Sequence, residues 1–146
     1  MYQRILVPLE NSPTDVHIVN HVRGLARHCG ASVVFIHVAD GWAARNIGHL
    51  TLRDSEEMRG DREYIERVAS ETTGAGLQAE AVLATGDPAK EIVDAATREK
   101  CDLIAMATHG HRLIGDMVLG SVANAVRHAT SVPVLLVRAP SSRGDS

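Results

Sequence analysis

The stretch with most capacity for chemistry runs from Met106 to Val122. It reads Met106-Ala107-Thr108-His109-Gly110, then nine residues, then Gly120-Ser121-Val122. Gly110 lets the chain turn sharply and lets backbone N–H groups approach an anion closely. Gly120-Ser121 falls where a helical pattern begins, and the free N–H groups and dipole of a helix N-terminus favour phosphate. The Ser121 hydroxyl adds one hydrogen bond. Two turns suited to an anion thus flank a single loop. Spacing alone equally allows a plain helix cap at Ser121, with glycines in an incidental loop.

Other constellations are weaker. His109-Gly110-His111 is close to the paired-histidine motif of nucleotidyltransferases, but those enzymes carry H-x-G-H at the end of the first strand. Here the spacing is H-G-H after a later strand, so adenylyl transfer is not expected. His109 is read as positioning the loop, with His111 or Arg112 approaching phosphates from solvent. His37 lies inside an apolar run and reads as a core histidine with satisfied partners. His17 and His21 have metal-ligand spacing on a helix, yet no third ligand is evident and a solvated face fits them better. A phosphate-accepting receiver domain needs an acidic pair after the first strand, an Asp after the third and a Lys after the fifth. Glu10 has no acidic neighbour, Asp87 before Pro88 reads as a helix cap, and Arg138 ends the fifth strand. Thr85, Ser12 and Ser121 have no evident His-Asp pair to activate them.

The elements that must position these residues alternate regularly. Apolar runs at 4–8, 32–38, 79–84, 102–107 and 133–138 predict five strands. Four of the five are near-continuous, as in strands covered on both faces. Helical patterns lie between them. The first, Thr14 to His28, is preceded by Ser12-Pro13 as N-cap and first-turn proline and closed by Gly30. Its stripe is Ile18, Val22, Leu25 and Cys29, with Val19 and Ala26 beside it. A charged helix from about Arg53 to Thr73 carries Met58, Ile65, Val68 and Ala69. Asp87-Pro88 opens a third, with Ala89, Ile92, Val93 and Ala96 inward. Ser121 is expected to cap the fourth, with Val122, Ala125, Val126 and Ala129 inward. The βαβαβαβαβ order implies an α/β fold: an open parallel sheet with helices on both faces and right-handed crossovers. Residues 40–52 and 108–120 are long for connections, and long loops in compact domains are commonly functional.

Composition bounds the rest. The 146 residues make one domain, 45% hydrophobic and 23% charged, with a net charge of −3. No apolar run approaches the roughly 18 residues of a membrane span, and no signal core precedes Glu10. Only 3% of residues are aromatic and the basic residues are scattered, which argues against a nucleic-acid partner. Cys29 and Cys101 form neither a disulfide framework nor a zinc site and read as small buried hydrophobes, so a reduced cytoplasmic setting is expected.

Over residues 1–138 the sequence resembles the universal stress protein family. The likeness rests on ILVP at 5–8, IHV at 36–38, GDP at 86–88, DLIAM at 102–106, LGSVAN at 119–124 and VPVLLVR at 132–138. Nucleotide-binding members carry G-x2-G-x9-G-[S/T] where this chain has Ala107-x2-Gly110-x9-Gly120-Ser121. The resemblance implies a Rossmann-like five-stranded sheet of order 3-2-1-4-5, with a ligand crevice where the order reverses. It implies an adenine nucleotide there: ATP, or ADP or AMP, with Mg2+ held through the phosphates. Pro8, Leu9 and Glu10 would face the glycine loop, Glu10 standing where the family has Asp on the ribose. Val38 would wall the adenine and Met106 would pack beside the nucleoside. Gly110, Gly120, Ser121 and Val122 would hold the phosphates, with Ala107 and His109 in the same loop. Two departures are notable: Ala107 replaces a glycine, costing about 1 kcal/mol if positive φ is needed there, and Glu10 is one methylene longer than Asp. The expected role is regulatory, with slow hydrolysis at most. The alternatives are a dimeric interaction module without nucleotide and an ATPase or phosphotransferase using His109 or His111. A homodimer is expected through the apolar edge strand 132–138, and residues 139–146 are expected to form a flexible tail.

Overall fold

The computed structural model describes residues 1–39, 52–109 and 121–139. Its strands are β1 (Arg4–Pro8), β2 (Ser32–Ala39), β3 (Ala79–Thr85), β4 (Leu103–His109) and β5 (Val134–Ala139). Its helices are α1 (Asp15–Cys29), α2 (Leu52–Gly74), α3 (Pro88–Arg98) and α4 (Ser121–Ala129). The five strands form one sheet in the order β3-β2-β1-β4-β5, and every pairing is parallel.

Strand side chains alternate between faces, so the sheet separates two cores. Ile5, Val7, Val33, Phe35, Leu103 and Ala105 meet Ile18 and Val22 of α1 and Ile65 and Val68 of α2. On the other face Leu6, Val34, Ile36, Ile104 and Met106 meet Ile92 and Ala96 of α3 and Val126 of α4. This two-sided burial is why four of the strands read as continuous apolar runs rather than as alternating ones. Cys29 packs against the first core and Cys101 is buried in the second, so the sheet stands between the two cores they join.

At the amino-terminal edge, Arg4 ties three strands to a helix end. Its guanidinium donates to the Glu99 carbonyl (2.7 Å), the Glu99 carboxylate (3.1 Å) and Ser32 Oγ (3.2 Å), and lies 3.3 Å from Glu80. Asp102 accepts from the amides of Gln3 and Arg4, fixing the entry to β1.

Four sequence expectations shift. Ser12 does not cap α1: the helix begins at Asp15, whose carboxylate turns back onto the preceding loop, and Ser12 Oγ instead pairs with Thr14 Oγ1 at 2.8 Å. Ser121 is the first helical residue of α4 rather than its cap. The inward stripe of α4 is Ala123 and Val126 with Val122 beside them, while Ala125 and Ala129 are exposed. This nine-residue helix packs chiefly against α3, so its apolar face is narrow, and alanine marks either side of it equally well. Ala139 is not tail: it pairs with His109 as the last residue of β5 and is buried. Asp87 caps α3 as expected, its carboxylate accepting from the Lys90 amide at 3.0 Å.

Candidate functional site

The sheet opens at one place. β1 pairs with β2 over five residues, as far as Pro8 opposite Ile36. On its other side β1 pairs with β4 only through Ile5–Leu103 and Leu6–Ile104. Beyond Leu6 the two strands part, while β4 stays paired to β5 out to His109. The split lies at the carboxyl ends of the strands, where the chain order reverses and where successive crossovers go to opposite faces. Open α/β sheets bind their ligands in the crevice that such a reversal of strand order creates.

Alternation assigns the lining. Pro8 shares a face with Leu6, Val38 and Val122 pack half-buried against the core beneath α3 and α4, and Met106 is buried in that core. These four give an apolar wall on one side of the opening. Ser121 stands exposed at the N-terminus of α4, whose first-turn N–H groups lack partners within the helix. Gly110 and Gly120 lie outside the described residues. His109 closes β4 opposite Ala139.

Leu9 and Ala107 point the other way. Leu9 is buried in the α1/α2 core. Its amide donates to the Ile36 carbonyl at 2.8 Å and its carbonyl accepts from His37 Nδ1 at 2.8 Å. It therefore continues β1 into the core, with Pro8 half-buried before it and Glu10 exposed after it. Ala107 also packs towards the α1/α2 core. It is an ordinary strand residue: among the described residues the non-glycine positions with positive φ are Asn11 and Lys100. The backbone there does not require glycine, so the conformational penalty attached to Ala107 does not arise.

The loop after β1 is held by residues that no motif flagged. The amides of Glu10, Asn11 and Ser12 all donate to the Asp15 carboxylate, at 3.2, 2.8 and 3.2 Å. Three successive N–H groups converging on one anion make a backbone nest, here filled by the chain's own side chain. Asp15 is only 3% exposed. The Tyr64 hydroxyl of α2 donates to the same carboxylate at 2.6 Å, and burial, reinforced by Asp15, pushes that phenol well above its usual range. Asp61, one turn before Tyr64, accepts from Asn11 Nδ2 at 3.1 Å and lies 3.3 Å from His37 Nε2. His37 is thus a core histidine with partners at both ring nitrogens. The available signal was the spacing of Asp61 and Tyr64, three apart on one face of α2, beside an acid that closes a turn at its own helix start.

Among the described residues, no group of three or more His, Cys, Asp or Glu side chains could hold a metal ion, and His17 and His21 are exposed on α1. No helix among them is long and apolar enough to cross a membrane.

A parallel sheet with a split at its topological switch point, an apolar wall and a helix N-terminus at the rim defines the doubly wound α/β class, whose members take ligands at the strand ends. The universal stress protein family model matches residues 1–138, and the chain belongs to that family. It is 30% identical to the universal stress protein MJ0531 of Methanocaldococcus jannaschii, over 96% of this chain and 84% of that one. The solved structure of MJ0577 from the same organism superposes with a TM-score of 0.81 at 26% identity, covering 97% of this chain and 99% of that one. A universal stress protein from Archaeoglobus fulgidus, solved in complex with dAMP, shares the fold at 23% identity and a TM-score of 0.69, over 93% and 98% of the two chains.

Proposed function

We propose that this chain binds an adenine nucleotide, ATP or its products ADP and AMP, in the crevice between β1 and β4, and that binding serves a regulatory role. The observation that carries the reading is the parting of β1 from β4 beyond Leu6–Ile104, directly before Met106-Ala107-x2-Gly110-x9-Gly120-Ser121. The base lies against Pro8, Val38 and Met106. Glu10 accepts from the ribose hydroxyls. The turn at Gly110 and the Gly120-Ser121-Val122 start of α4 take the phosphates, with Ala107 and His109 framing the loop. Half-buried apolar side chains beside a helix N-terminus fit a flat base joined to an anion. The A. fulgidus protein with dAMP supports the fold's capacity for such a ligand. Any Mg2+ is held through the phosphates, hydrolysis is slow or absent, and the protein works in the cytoplasm as a homodimer through β5.

The test is whether nucleotide accompanies the purified protein, read by absorbance and mass after acid release, followed by calorimetric titration with ATP, ADP and AMP. Wild type binds, and Gly120→Val loses binding while keeping its circular dichroism spectrum. Equal affinity in both proteins overturns the site. A wild type that binds none of the three supports the second reading, a nucleotide-free interaction module, which Glu10 in place of the family's Asp would favour.

A further inference from the structure

Residues 9 to 12 are anchored one by one from outside the loop. Leu9 is bound by Ile36 and His37 of β2, and the amides of Glu10, Asn11 and Ser12 by Asp15. Asp15 is in turn bound by Tyr64, and the Asn11 side chain by Asp61. Asn11 has φ 63, a left-handed conformation that a non-glycine residue keeps only where its surroundings hold it. Both outside acceptors and donors on α2, Asp61 and Tyr64, sit on the face of the helix that meets β2.

The consequence for ligand chemistry is specific. A free nest of three amides would attract a phosphate. This one is occupied by a buried carboxylate, so the β1 side of the crevice repels a second anion, and the exposed Glu10 beside it adds a further carboxylate rather than a cation. It is therefore built to accept hydrogen bonds from neutral hydroxyls, and it directs the anionic end of a ligand to the α4 side.

We propose that Tyr64 and Asp61 are positioning residues that act through Asp15 and Asn11 to aim Glu10 at a vicinal diol, and so set the preference of the crevice for ribonucleotides over nucleotides lacking those hydroxyls. This rests on the nucleotide reading above. A carboxylate accepting two hydroxyls is a pair of charge-assisted hydrogen bonds, and a displaced loop forfeits them without touching the base or phosphate contacts.

The experiment titrates AMP and 2′,3′-dideoxy-AMP into wild type, Tyr64→Phe, Asp61→Ala and Glu10→Ala, and into each α2 variant combined with Glu10→Ala, with thermal melts run alongside. Wild type prefers AMP by roughly tenfold, the loss expected when a good hydrogen-bonded contact to a charged group goes unmade. Tyr64→Phe and Asp61→Ala each reduce that preference to about twofold or less, while dideoxy-AMP affinity stays within about twofold. In the Glu10→Ala background neither change has any further effect on AMP. A merely structural role would weaken both ligands together and would persist without Glu10, and that outcome overturns the proposal. So does a preference unchanged in both α2 variants. Two different single sites are used so that poor folding of one leaves the other to decide. If wild type binds AMP with the preference and the α2 variants retain it, this inference alone fails. If wild type binds neither ligand, the nucleotide reading fails with it.

Discussion

Replacing Asp15 by alanine should be the most costly single polar substitution in the loop after β1. The carboxylate accepts from three amides and a phenol at 2.6 to 3.2 Å. A hydrogen bond to a charged group contributes about 1.5–3 kcal/mol where the partner is left buried and unsatisfied. That full value does not apply four times. Glu10 and Asn11 are exposed, and their amides recover water once the carboxylate is gone. Ser12 and the Tyr64 hydroxyl are more enclosed and recover less, and Asn11 loses a support for its left-handed φ of 63. The expected loss is about 2–4 kcal/mol, which for a chain of this size lowers the melting midpoint by roughly 6–12 °C. Urea unfolding with a common m-value measures it. Tyr64→Phe alone should cost about 1–2 kcal/mol, and the double variant less than the sum, because the phenol and carboxylate are each other's partners. A loss under about 0.5 kcal/mol for Asp15→Ala, the range of an ordinary surface change, would refute the view that this loop depends on a buried anion. Strict additivity with Tyr64→Phe would refute the direct bond.

Two further outcomes follow from the rest of the molecule. Burial raises the Cys101 thiol from 9.0 to about 11, so the unfolded chain loses that proton first as pH rises; stability should be complete below about pH 9, fall by roughly 2–3 kcal/mol as pH rises to about 11, and fall less steeply in Cys101→Ala. Identical alkaline slopes in the two proteins would contradict this. For the β5 homodimer, light scattering at about 100 μM should give roughly twice 15.7 kDa. A single species of monomer mass there would remove it. Lys at Leu135 or Val137 would be a poor probe, since both side chains pack against the monomer's own α1/α2 core.

The element order, the parallel sheet and the two-sided core can all be read from the amino-acid order. These are local: runs of β-branched residues separated by 3.6-period stripes and capped turns declare their own type, and right-handed crossovers leave few ways to join them. The cap at Asp87, the stop at Gly30 and the inward-facing Ile18, Val22, Ile65 and Ile92 were all legible for that reason. The spacing Gly110-x9-Gly120 is likewise a property of contiguous chain and is read without the fold, though both glycines lie outside the described residues. Element ends were less so: Ser12, Ser121 and Ala139 each have a reasonable local reading that a tertiary partner displaces. It takes the folded chain to reveal that β1 leaves β4 after Leu6, that Leu9 and Ala107 turn towards α1 and α2 while Pro8, Val38 and Met106 face the other way, and that Asp15, Tyr64, Asp61 and His37 form one network. Tyr64 lies 49 residues from Asp15 along the chain. No local pattern encodes that pairing, because it depends on where the sheet places α2 beside the start of α1, and that follows from strand order and crossover hand rather than from any neighbouring residue.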